Sequence, residues 1–151
     1  MDTENSIDIE HELDYQFQSK KLLAEALRHS SYVNEQPASD LRDNERLEFL
    51  GDAVLNLIVG HMLMERYPQM KEGDLSRTRA NLVNETQLAA MARSINLGAC
   101  LQLGRGEIQT DGMEKNSILA GAYEALIAAL YLDSGYKATF SIIEKNFVPI
   151  I

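Results

Sequence analysis

"NERLEFLGDAVL", residues 44–55, decides how this chain is read. Leu47, Leu50 and Val54 recur at helical spacing on one side, which predicts an amphipathic helix with a core face. On the other side Glu45, Glu48 and Asp52 recur at steps of three and four. At about 100° per residue these acids fall within roughly 60° of one another. Like charges so placed cost a helix about 0.2–0.5 kcal/mol per pair. One reading makes them the wet side of the helix, and the other makes them a metal or acid–base site. Asn56, Val59 and Leu63 continue the same stripe, so the second half of the helix is apolar nearly all round. That is the pattern of a central, buried helix, and it puts the carboxylates at the mouth of something. Gly51 costs this helix about 1 kcal/mol against Ala and so predicts close packing or close approach.

Working outward, the long helix runs from about Asn44 to Arg66 and stops before Pro68. Upstream, a short helix is expected near residues 7–13, then one over "SKKLLAEALRHS" with Ser19 as N-cap. A polar loop follows over residues 34–43. Downstream, "EGDLSRTRANLV" and "ETQLAAMARSI" predict two shorter helices, and the glycine-bearing segment 103–116 reads as a loop. Residues 116–133 form the next helix, with Gly135 as the residue that ends it. "KATFSIIEKNF" is the last. No alternating strand pattern of useful length is visible, so the fold class is all-α.

The chain has 151 residues, 45% hydrophobic and 25% charged, which fits one domain with a real core. Fourteen basic against 23 acidic side chains give a net charge of −9. That balance argues against a phosphate backbone as partner and is compatible with divalent cations. Cys100 is the only cysteine, which excludes a disulfide framework and reads as a small buried filler. No apolar run is read as membrane-spanning, and "MDTENSIDIE" is too acidic for a signal or transit peptide. A cytoplasmic location with no membrane partner is the expectation. The ending "NFVPII" suggests one domain of a longer protein.

Between Lys115 and Asp133 the ionisable acids and bases reduce to Glu124, set among small and apolar residues. A carboxylate there is costly unless paired, hydrogen-bonded or bound to a cation. An ion pair with Arg46, Arg77 or Arg79 is one solution. A cation bridging Glu124 to the acids of the long helix is the other, and oxygen-only ligation suits Mg²⁺ or Mn²⁺. Glu72 and Asp74 open their helix as helix-start electrostatics alone would have it. His61 falls near the core face and reads as packed. "LGRGE", residues 103–107, lacks the strand-to-helix context of a nucleotide loop.

"NERLEFLGDAVL" resembles the signature of the ribonuclease III family. "LRHSSYVNE" (27–35), "YPQMKEGDLSRTRANLVNETQLAAMA" (67–92), "LGRGE" (103–107) and "SILAGAYEALIAALYLD" (117–133) follow in that family's order and spacing. The resemblance implies an all-helical endonuclease domain over residues 1–151 that forms a two-fold homodimer. It also implies cleavage of double-stranded RNA to 5′-phosphate and 3′-hydroxyl ends, in the processing of ribosomal and messenger precursors. By residue, it implies Glu48, Asp52 and Glu124 as ligands of Mg²⁺ (with Mn²⁺ as substitute), Asp52 and Glu124 being catalytic. Glu45 and Glu72 would engage RNA and the scissile bond across the dimer, and Phe49 would plug into the partner subunit. Two departures stand out. Gly121 occupies the usual fourth acidic position, three residues before Glu124, which makes a non-cleaving duplex-RNA binder or dimerisation scaffold the alternative. The double-stranded-RNA-binding domain that typically follows is absent from this chain.

Overall fold

The computed structural model describes residues 8–150. Asp8 caps α1 (Ile9–Leu13), its carboxylate accepting from the Glu10 and His11 amides, and Asp14 ends it in the left-handed region at φ 53°. Residue 7, with which the predicted helix began, lies outside the described residues. Ser19 caps α2 (Lys20–Ala26) by accepting from the Leu22 amide, as its sequence position predicts.

The expected continuation through His29 and Ser30 does not form. Leu27 to His29 instead lie alongside Gln102: the Gln102 amide donates to the Leu27 carbonyl (2.8 Å) and the His29 amide to the Gln102 carbonyl (3.0 Å). His29 is extended, and its Nδ1 accepts from the Ser31 amide to start α3 (Ser30–Asn34). That single parallel bridge, Arg28 to Gln102, is the only β-type pairing among the described residues.

α4 (Glu45–Arg66) is the long helix, followed by α5 (Glu72–Val83) and α6 (Glu85–Ser94), the latter capped by Asn84 on the Gln87 amide at 2.8 Å. The segment expected to be a loop holds one helical turn and a half, α7 (Arg105–Gln109), then a 3₁₀ turn at Gly112–Glu114. Tertiary contacts hold it there. The Glu35 carboxylate accepts from the Arg105 amide (2.7 Å), and the Gly104 amide donates to Ser31 Oγ (2.9 Å). The "LGRGE" glycine therefore serves close packing against α3. α8 (Asn116–Ser134) and α9 (Tyr136–Phe147) complete the fold, separated by Gly135 at φ 88°.

The core is organised around α8. Tyr123, Leu126, Ile127 and Leu130 are fully buried, and α4 and α6 make its largest contacts. α4 contributes Leu55, Ile58, Val59 and Leu63 to the same cluster. Both helices correct the sequence reading on one point. At 22 and 19 residues, with mean hydropathies of 1.4 and 1.2, they are long and apolar enough to cross a membrane by length and composition. α8 buries most of its apolar surface in the centre of the fold, whereas α4 leaves Phe49, Leu57 and Met64 exposed.

Candidate functional site

The first turn of α4 is fixed from below. Asn44 is buried, its amide donating to the Arg28 carbonyl (2.8 Å) and its side chain to the Ala26 carbonyl (3.1 Å). Glu45 and Glu48 thus stand at a defined helix N-terminus, where the positive end of the helix dipole offsets part of their repulsion. One turn on, α4 crosses α8 at Gly51. A β-carbon there would lie 1.7 Å from the Glu124 carbonyl oxygen, so the two backbones are in contact. This crossing sets Asp52 beside Glu124.

Glu45, Glu48, Phe49, Asp52 and Glu124 line one open recess of about 440 Å³. Four carboxylates from two helices face it. Among the described residues the ion pairs join Lys20 to Glu10, His61 to Glu65, Arg77 to Asp74 and Lys115 to Glu107. None of them neutralises the recess, so the ion-pair reading of Glu124 does not hold. Glu124 is half-buried and stands beside the Asp52 carboxyl. Burial, then Asp52 and then the Glu48 charge push its pKa up to about 8. Glu48 is also raised, by burial first and then by Glu45, Asp43 and Asp52. Burial first, and neighbouring acids second, make both carboxyls resist ionisation.

The donor set is all oxygen, which suits Mg²⁺ or Mn²⁺. As the side chains stand, however, no three acid, imidazole or thiol groups among the described residues converge closely enough to hold a metal ion. The Glu48 carboxylate lies over Gly121 and does not close on the Asp52–Glu124 pair. The residues fit a divalent cation in charge and chemistry once Glu48 turns toward that pair.

Glu72 is not brought to this recess. It lines a separate groove of about 500 Å³ between α4 and α5, with Leu57, Met64, Ser76 and Arg79. Phe49 projects into solvent at 83% exposure. Beside it lies a hollow of about 510 Å³, where Leu22, Leu47, Leu50 and Leu132 are ringed by Glu25, Arg42, Glu45 and Arg46. Sequence reasoning missed Leu132, although it was legible as an apolar residue ending an otherwise buried helix. His61 is not packed in the core as expected. It is exposed, stacks on Tyr136, meets Phe140 edge-on, and shares a hydrogen bond with the Tyr136 hydroxyl. The half-buried Cys100 thiol donates to the Asn96 carbonyl, and burial pushes its pKa up to about 11, away from the thiolate form a nucleophile needs.

Residues 19–151 match a family described as ribonuclease-III-like. The chain is 52% identical over 144 residues to ribonuclease 3 of Desulfotalea psychrophila, covering 95% of this chain and 59% of that protein. It is 50% identical over 149 residues to ribonuclease 3 of Geobacter metallireducens, covering 98% and 61%. The chain therefore spans about three-fifths of the length of these relatives. Among solved structures, the nuclease domain of ribonuclease III from Campylobacter jejuni superposes with a TM-score of 0.84 at 45% identity, covering 94% of this chain and 97% of that one.

Proposed function

Because the chain belongs to the ribonuclease-III-like family, we propose that it is an endonuclease domain that cuts RNA duplexes by divalent-cation-dependent phosphodiester hydrolysis. The observation that carries this reading is the contact between Asp52 and Glu124 at a recess faced by four acids and no neutralising base. The ion is Mg²⁺, with Mn²⁺ as substitute. When bound, it supplies Lewis acidity: a lower pKa for the attacking water and charge stabilisation at the leaving 3′ oxygen.

The protein's part is positional. Asp52 and Glu124 present oxygens from two helices whose crossing is fixed by backbone contact at Gly51. Glu48 turns in from α4 to complete the set. Burial and Asp52 favour the protonated form of Glu124, so a cation held here would have to displace that proton and loading would strengthen as pH rises. Glu45 on the rim and Glu72 in the neighbouring groove engage RNA and the scissile bond. Their separation within one subunit supports a site shared between two, with Glu72 coming from the other copy. The exposed Phe49 and the leucines of the hollow beside it support the same two-fold homodimer. Products carry 5′-phosphate and 3′-hydroxyl ends. Ribosomal and messenger precursors are the proposed substrates, and the cytoplasm is the proposed location.

The test is cleavage of a long RNA duplex in Mg²⁺ by the wild type, Asp52→Asn and Glu124→Gln. Loss of one group that holds the cation should slow cleavage by at least about a hundredfold in each variant. Duplex binding without cleavage by the wild type, at any Mg²⁺ or Mn²⁺ concentration, would identify a scaffold and overturn the proposal.

A further inference from the structure

We infer that Gly121 is a positioning residue for the acidic recess: the space left by its missing side chain is where the Glu48 carboxylate rests, drawn away from Asp52 and Glu124. This rests on the cation-binding reading above and deepens it. A β-carbon built on Gly121 would stand 2.8 Å from Glu48 Oε2, 2.9 Å from Cδ and 3.1 Å from Oε1. All three nearest atoms belong to that one carboxylate. A β-carbon does not tolerate contacts that short, so the two groups exclude each other.

Glu48 stands on a partition. On one side is a small recess of about 160 Å³, walled by His29, Asn44, Ser117 and Gly121. On the other is the larger recess of Asp52 and Glu124. Glycine at 121 keeps the small side open to the carboxylate. Hence two ligating groups stand together and the third stands off. Coordination in this chain is conditional on rotation of Glu48, which must leave its resting place against the repulsion of the acids it joins. A methyl group at 121 fills the resting place. Because the obstacle is the far end of a flexible side chain, Glu48 yields at small cost and turns to the open side, the backbone staying in place.

The glycine therefore weakens cation binding, and alanine strengthens it by pre-organising the third ligand. Binding of Mg²⁺ and of Mn²⁺ alone, measured by titration calorimetry at pH 8.5, tests this in four proteins: wild type, Gly121→Ala, Glu48→Gln and the double variant. The Kd should fall by about three- to tenfold on Gly121→Ala when Glu48 is present, and by less than about twofold in the Glu48→Gln background. Gly121→Ser, which adds the same β-carbon, should repeat the gain, and a crystal structure of cation-free Gly121→Ala should show Glu48 rotated toward Asp52. An unchanged or raised Kd in Gly121→Ala, or an equal gain without Glu48, overturns the inference while leaving cation binding intact. Absence of binding in every variant overturns the cation reading itself, and this inference with it.

Discussion

Gly51 and Glu124 meet backbone to backbone, with room for a hydrogen and none for a methyl group: a β-carbon at 51 would also lie 2.4 Å from the Glu124 carbonyl carbon. Unlike the obstacle at Gly121, this one is main chain and cannot rotate aside. Gly51→Ala must push α4 and α8 apart along the largest contact in the molecule. The expected cost is at least about 3 kcal/mol, the upper end for overpacked cores, read as a lower urea midpoint. The Asp52–Glu124 contact should be lost with it, and with that contact the upward shift of Glu124 caused by Asp52. An alanine variant as stable as the wild type would refute the crossing geometry.

The raised pKa of Glu124 has a definite sign. The folded protein holds this proton up to about pH 8, whereas an unfolded chain releases it near the ordinary carboxylate value of 4.5. Between those limits the folded state binds more protons, so stability is full below the lower value and declines as pH rises through the upper. Glu48 shifts in the same direction and adds to the slope. Both side chains are partly solvated, so screening leaves about 1–2 kcal/mol of the effect. In chelator-treated protein the melting temperature should drop by about 3–6 °C between pH 5 and pH 8.5. Glu124→Gln should flatten most of that drop, and Mg²⁺ should reverse it in the wild type. A flat profile in the wild type would contradict the burial of this acid.

The parts of the site legible in the sequence were those where a residue contradicts its local pattern. Gly51 interrupts a helix at an energetic cost, and the helix crossing supplies the reason. Glu124 is an ionisable group in an apolar helix, and it is only half-buried where α8 meets α4. What escaped depended on partners distant in sequence. α3 and α7 are five residues each, too short for periodicity to register, and are held by Ser31 and Glu35 reaching Gly104 and Arg105. His61 sat near the core face on a helical wheel, but the ring chose the surface because α9 offers Tyr136 and Phe140 there. The resting place of Glu48 is a rotamer decided by a helix about 70 residues away, and no pattern within α4 encodes it.

Asp133 ties the N-terminal segment to the end of α8. Its carboxylate accepts from the Tyr15 hydroxyl (2.6 Å) and from the Gln18 and Ser19 amides (2.9 and 3.0 Å). Those bonds hold its pKa below the usual range despite opposing desolvation. Asp133→Ala should cost about 2 kcal/mol, since bonds to a charged acceptor are each worth more than neutral ones. Tyr15→Phe, which removes one bond, should cost about 1 kcal/mol. Hydrogen exchange should locate the loss in α1 and α2 rather than in α4. Equal exchange rates there in both variants and the wild type would show that this tether does not hold the segment.

Phe49 separates folding from assembly. At 83% exposure its ring contributes almost nothing to the folded monomer, so Phe49→Ala should leave the urea midpoint within about 0.5 kcal/mol of the wild type once both are monomeric. In the proposed homodimer two such rings leave water, each worth about 2 kcal/mol when buried. The dimer dissociation constant should then rise by at least about a hundredfold, measured by sedimentation velocity across a concentration series. Leu132, 55% exposed at the edge of the adjoining hollow, offers a receiving surface, and Leu132→Asp should weaken the dimer comparably without touching the acidic recess. Because Glu72 would reach a scissile bond only from the second copy, both variants should lose duplex cleavage in proportion to their monomer fraction. They should keep the Mn²⁺ affinity set by Glu48, Asp52 and Glu124. Full cleavage by a demonstrably monomeric Phe49→Ala would rule out the shared site.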